Sequence, residues 1–236
     1  MPSFFLLIKR KDEKMDIKEN TVSAVGQVAG SSELFFLGYE GAPIRILVVG
    51  NSITRHGPLA EIGWNRDWGM AASAPEKDYV HRLYSKLTEG GYEVYMRIRQ
   101  ASFWERNYRS PDVLSHYEEE NAFDADIVLF RLGDNVADED KPYYKSALEK
   151  FMSHICPSGK AIYVTSFWKN EGVDEDTFAV ARDRGEVCLD GCLSDDETNT
   201  AKGQFEHGGV AGHPSDKGME AIAELIFTAI KDYLRE

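Results

Sequence analysis

A chain of 236 residues with 42% apolar and 11% aromatic content is long enough for one large α/β domain, alone or with a small appendage, and is not the composition of a disordered protein. Its formal net charge of −13 excludes general attraction to nucleic acid or to an anionic membrane surface, while leaving room for a local basic pocket. Three cysteines (Cys156, Cys188, Cys192) make no disulfide framework, and no paired Cys/His cluster stands near them to form a zinc site.

Residues 1–40 lack strong helical periodicity and read as an N-terminal extension. A short apolar patch at 4–8 is followed by charge, without the basic start, long apolar core and small-residue cleavage site of a secretory signal. No run approaches the length of a transmembrane helix, and the expected location is cytoplasmic. Residues 22–39, rich in Thr, Val and Phe with Gly and Ser between them, predict a β-hairpin or edge strands ahead of the main domain at 41–236.

From residue 44 onward strands and helices alternate. The run 44–49 predicts a buried strand that stops at Gly50. Residues 78–89 have Val80, Leu83, Tyr84 and Leu87 on one helical face, with Gly90-Gly91 ending the helix. Strands are predicted at 92–98, 127–132, 161–167 and 187–189, and helices at 142–155, 174–184 and 215–234, the last capped by Ser215 or Asp216. This βαβ alternation predicts a parallel sheet covered by helices on both faces.

The chemistry-bearing residues fall at the predicted strand ends. Gly50-Asn51-Ser52 follows the first strand and presents a serine at the carboxyl edge, where open α/β sheets bind ligands. Gly133-Asp134-Asn135 follows the strand at 127–132, and His213-Pro214 precedes the last helix. A serine hydroxyl needs a base to take its proton, and a developing oxyanion needs preorganised donors. Ser52 supplies the hydroxyl, His213 the imidazole, and Asn135 with the Ser52 N–H the donors.

These blocks resemble the SGNH (GDSL-like) hydrolase family. Gly50-Asn51-Ser52-Ile53-Thr54 is similar to its Gly-Asp-Ser block with Asn for Asp, Gly133-Asp134-Asn135 to Gly-x-Asn, and His213-Pro214 with Gly218 to His-Pro-x-x-x-Gly. The resemblance covers about residues 44–234. It implies a flavodoxin-like three-layer α/β/α fold with a central parallel sheet, serine esterase activity, and Ser52, His213 and Asn135 as catalytic residues. No cofactor is required. Short acyl esters, acetyl above all, of a carbohydrate or other small polar alcohol are the expected substrates. The alternative is a protein of this fold with weakened catalysis that binds a glycan or small polar ligand.

Two departures stand out. Glu105, in Gln100-Ala101-Ser102-Phe103-Trp104-Glu105, occupies the place of a family glycine whose N–H serves the oxyanion. It is expected to be held by an arginine (Arg55, Arg106 or Arg131) or to bind substrate hydroxyls. Val210 stands where the family has the triad aspartate, three residues before His213. The imidazole must then be oriented by another group: the Val210 carbonyl, Glu206, Asp190, Asp195 or Asp216.

The insertion at 55–74 carries His56, Trp64 and Trp68 with Arg55, Asn65, Arg66 and Asp67. Aromatic faces beside such groups suit stacking on a sugar, and Arg55, His56, Trp64, Trp68, Glu105 and Gly133 are the candidate substrate-binding residues. At least one tryptophan of the pair is expected to bury instead and anchor the loop. The spacing of Glu206, His207, His213 and Asp216 matches no compact ligand motif, and no metal is expected.

Overall fold

The computed structural model describes residues 34–234. Six strands form one sheet: β1 (Leu34–Gly38), β2 (Ile44–Gly50), β3 (Val94–Gln100), β4 (Ile127–Arg131), β5 (Lys160–Val164) and β6 (Val187–Leu189), in the spatial order β1-β3-β2-β4-β5-β6. β2 to β6 are parallel, and β1 closes one edge antiparallel to β3, with Leu34 opposite Arg99 and Gly38 opposite Tyr95. The remainder of the segment expected to form a hairpin lies outside the described residues.

The near-continuous apolar runs have a physical cause: the sheet is buried on both faces. Alternate residues of β2 feed opposite cores. Ile46 and Val48 pack with Val80, Leu83 and Leu87 of α1 (Tyr79–Glu89) and with Ile222, Ile226 and Ile230 of α7 (Asp216–Tyr233). Leu47 and Val49 pack on the other face with Trp104 of α2 (Ser102–Asn107), Leu148 and Phe151 of α4 (Tyr144–Ile155), and Val180 of α5 (Val173–Arg184). The result is a three-layer α/β/α sandwich. Two short helices complete it, α3 (Glu118–Phe123) and α6 (Gly208–Ala211).

The chain leaves β2, forms β3 on one side, and returns to place β4 on the other. That reversal opens a crevice at the carboxyl ends of β2 and β4, where ligands bind in such folds.

Several boundaries differ from expectation. The strand expected at 92–98 starts and ends two residues later, because Tyr92 N–H still closes α1 on Leu87 O and Gln100 still pairs with Gly50. The strand expected at 161–167 stops at Val164. Beyond it, Ser166 N–H donates to Asp174 and Phe167 N–H to Asp134, so side chains replace the ladder. The helix expected at 142–155 is preceded by a 3-10 turn at Lys141–Tyr143. Ser215 caps α7 by accepting from Gly218 N–H. Helices α2, α3 and α6 were not expected. Among the described residues, no helix is long and apolar enough to cross a membrane.

Candidate active site

The serine turn is built on a close approach that only glycine permits. A Cβ on Gly50 would collide with the Thr54 side chain. Beyond Gly50 the chain reverses, with Thr54 and Arg55 N–H both donating to Asn51 O at 3.0 Å, and Met70 N–H donating to Ser52 O at 2.9 Å. Asn51 is fully buried. Its Oδ1 accepts from Ile53 N–H and from Arg131 Nη1, both at 3.2 Å, and its Nδ2 donates to Asp134 Oδ2 at 2.8 Å. With its neighbour so tied down, Ser52 is left half-buried at the sheet edge.

Ser52 Oγ lies 2.8 Å from His213 Nε2. The other ring nitrogen, Nδ1, lies 2.7 Å from Gly209 O in α6. A carbonyl only accepts, so Nδ1 carries the hydrogen and Nε2 presents its lone pair to the serine hydroxyl. That is the tautomer a general base requires. The group holding the His213 ring is therefore the Gly209 carbonyl, and the expectation of the Val210 carbonyl or a nearby carboxylate is corrected. Val210 O is taken by the backbone N–H of His213. Asp216 is held by Ser73, and Asp190 accepts from Cys192 N–H.

The side chain at position 210 is committed to packing. Val210 is fully buried in a small apolar cluster with Trp64, Met70, Ala71 and Ala201. The insertion at 55–74 thus braces the loop that carries His213. Burial, opposed by the Gly209 hydrogen bond, pushes the His213 pKa down to about 4. Trp168 stands edge-on to the imidazole, with ring centroids 5.1 Å apart.

The loop after β4 is tied to the serine turn through Asn51. Gly133 has φ of +132°, a conformation that favours glycine. Asp134 turns inward, accepting from Asn51, from Arg131 at 3.0 Å and from Phe167 N–H at 2.6 Å. Glu105, 1% exposed, accepts from Gly133 N–H at 2.6 Å, Asn135 N–H at 3.0 Å and Asn135 Nδ2 at 2.7 Å. Burial, followed by the neighbouring Asp134 charge, raises its pKa, against the pull of those N–H donors. Glu105 is accordingly a buried partner of the Asn135 loop.

Arg106, next to Glu105, donates to Asn135 Oδ1 at 3.3 Å. A cavity of about 370 Å³ adjoins it, lined also by Asn107, Tyr108, Arg109, Ser110 and Asp140.

The other candidates divide. Trp64 has 0% exposure and donates Nε1–H to His56 O, so it offers no face to a sugar. The expectation that it stacks on substrate is corrected, and it is the loop anchor of the pair. Trp68 is half-buried, with Nε1–H on Ala72 O and the Arg66 guanidinium 5.4 Å from its ring centroid. Arg55 sits 3.6 Å from Asp67 and over the Phe35 ring. His56 is half-buried, its Nδ1 on Gly57 O, and burial lowers its pKa. Sequence reasoning missed the roles of Asn51, Asp134 and Gly209, although the first two lie inside the motifs that located the site.

No protein-family model and no curated protein matches the sequence. Solved structures do. An acetyl-xylooligosaccharide esterase from Geobacillus stearothermophilus superposes with a TM-score of 0.55 at 15% identity, over 80% of this chain and 95% of that one. A family two carbohydrate esterase from Clostridium thermocellum gives 0.56 at 14% identity, over 83% of this chain and 65% of that one. A protein described as a GDSL-like lipase from Parabacteroides merdae gives 0.50 at 14% identity, over 80% and 95%. With the strand order, the parallel register and the layers already described, these likenesses identify the chain's architecture as the SGNH hydrolase fold.

Proposed function

We propose that the protein is a serine esterase that removes short acyl groups, acetyl above all, from a carbohydrate or other small polar alcohol. The observation that carries this reading is the 2.8 Å approach of Ser52 Oγ to His213 Nε2, with Nδ1 fixed on a carbonyl. His213 takes the hydroxyl proton as Ser52 attacks the ester carbonyl. The Ser52 N–H and Asn135 Nδ2 stabilise the tetrahedral oxyanion. The imidazolium then protonates the leaving alcohol, and water activated by the same imidazole hydrolyses the acyl-enzyme. The names of the superposing carbohydrate esterases point to the same substrate class.

The test is hydrolysis of p-nitrophenyl acetate by wild type, Ser52→Ala and His213→Ala, followed by acetate release from acetylated sugars. Loss in both folded variants is the expected result, and wild-type activity no greater than that of Ser52→Ala counts against it. A second reading, a glycan-binding protein with weakened catalysis, is favoured by the carbonyl that replaces the triad carboxylate. Failure of a serine-reactive phosphonate to label Ser52 would select it.

A further inference from the structure

The side-chain amide of Asn135 is gripped at both ends by consecutive residues of α2. Its Nδ2 donates to Glu105 Oε2 at 2.7 Å, and its Oδ1 accepts from Arg106 Nη2 at 3.3 Å. A flipped amide would set its NH2 against the guanidinium and its oxygen against the carboxylate, so the two charges settle the orientation. Glu105 also holds the backbone of the same loop through Gly133 and Asn135 N–H. Asn51 Nδ2 lies 3.4 Å from Glu105 Oε1, so among the described residues the hydrogen-bond partners of this buried carboxylate are N–H donors. An amide nitrogen carries two hydrogens. With one on Glu105 and the oxygen on Arg106, the direction of the second is fixed before any ester arrives.

We propose that Glu105 and Arg106 are positioning residues that preset Asn135 as the oxyanion donor. The inference rests on the esterase reading and on its assignment of Asn135. It explains why a carboxylate is tolerated beside a site that develops negative charge: both its oxygens are taken up by the 133–135 loop. Gln at position 105 would bring an NH2 group into a ring of donors, and Ala at 106 would free the amide oxygen.

The experiment is a pair of double-mutant cycles on full-length protein with p-nitrophenyl acetate: Asn135→Ala, Glu105→Gln, Arg106→Ala, and Asn135→Ala combined with each. Asn135→Ala is expected to lower kcat by about 10²-fold, the effect of removing one oxyanion donor. Glu105→Gln should lower kcat by about tenfold or more, and Arg106→Ala by about threefold, with KM little changed, because the loss is confined to the transition state. On the Asn135→Ala background each should change kcat by less than about twofold, since the group they act through is gone. Equal losses with and without Asn135 would mark a merely structural role and overturn the proposal. So would full kcat in both α2 variants. If Glu105→Gln does not fold, the cycle with exposed Arg106 decides alone.

Hydrogen exchange of the Asn135 side-chain amide, assigned by its disappearance in Asn135→Ala, reads the clamp without turnover. Protection in wild type that is lost in Arg106→Ala or Glu105→Gln supports it, and an unprotected amide in wild type refutes it. A protected amide in an inactive wild type would sink the esterase reading and leave the clamp standing.

Discussion

Val210→Asp introduces the residue type that the SGNH pattern carries three positions before its histidine, and it asks whether His213 lacks an acid or depends on a brace. The Val210 side chain is fully buried against Trp64, Met70, Ala71 and Ala201. Losing its apolar burial removes roughly 1.5–3 kcal/mol. Leaving an ionised carboxylate among those apolar side chains costs several kcal/mol more, because the hydration lost on burial is large. A total of about 4–6 kcal/mol is a large share of the 5–15 kcal/mol that holds a typical domain together. Protonation relieves the penalty. Burial raises the folded-state pKa of the new carboxyl above its unfolded value near 3.9. The ionisation part of the destabilisation is therefore absent below that unfolded pKa, grows as pH rises through the window between the two values, and is complete above the folded one, while the packing loss remains at every pH. Urea unfolding at pH 8 should show the full loss and unfolding at pH 5 a smaller one, with kcat at pH 8 falling as the Gly209 turn loosens. A variant within about 1 kcal/mol of wild type at pH 8 that also turns over faster would show position 210 to be a vacant acid site, and the packing argument would be wrong.

Trp64→Ala should cost about 3–5 kcal/mol by denaturant unfolding, and kcat should fall with it because the same cluster holds the His213 loop. An unchanged kcat in the folded variant would separate the brace from catalysis. Asn51→Asp replaces an amide that donates to Asp134 and approaches Glu105. Like charges then meet in a buried site, and a lower Tm that partly recovers in acid is expected from thermal scans at pH 5 and pH 8. An unchanged Tm would refute the network. An NMR titration of the His213 ring should give a midpoint near 4, because burial disfavours the imidazolium. Since this folded pKa lies below the unfolded value near 6.5, His213 detracts nothing from stability above about pH 6.5 and subtracts progressively as pH falls towards the folded value. A midpoint at or above 6.5 would refute the burial argument.

What could be read from the sequence was whatever depends on local pattern. Apolar runs such as 46–49 are continuous because both faces of β2 are covered, and such runs alternating with helical periods implied a parallel sheet. Ser52 and Asn135 sit at strand ends, so locating β2 and β4 located them. The short helices α2 and α6 span six and four residues, too few for a helical period to show. The roles of Glu105 and Gly209 were hidden with them.

The two departures from the SGNH pattern that the sequence resembles have a deeper reason for being opaque. Asparagine at position 51 makes sense only once Asp134 and Glu105 are seen beside it, since a third carboxylate would find acceptors where it needs donors. Valine at position 210 makes sense only once Trp64 is seen packed in the same cluster, leaving a backbone carbonyl of α6 to hold the His213 ring. Each unusual residue is answered by a contact from a distant segment of chain. A motif compared position by position registers such a residue as a defect, whereas the folded chain shows the donor count and the packing that make it consistent.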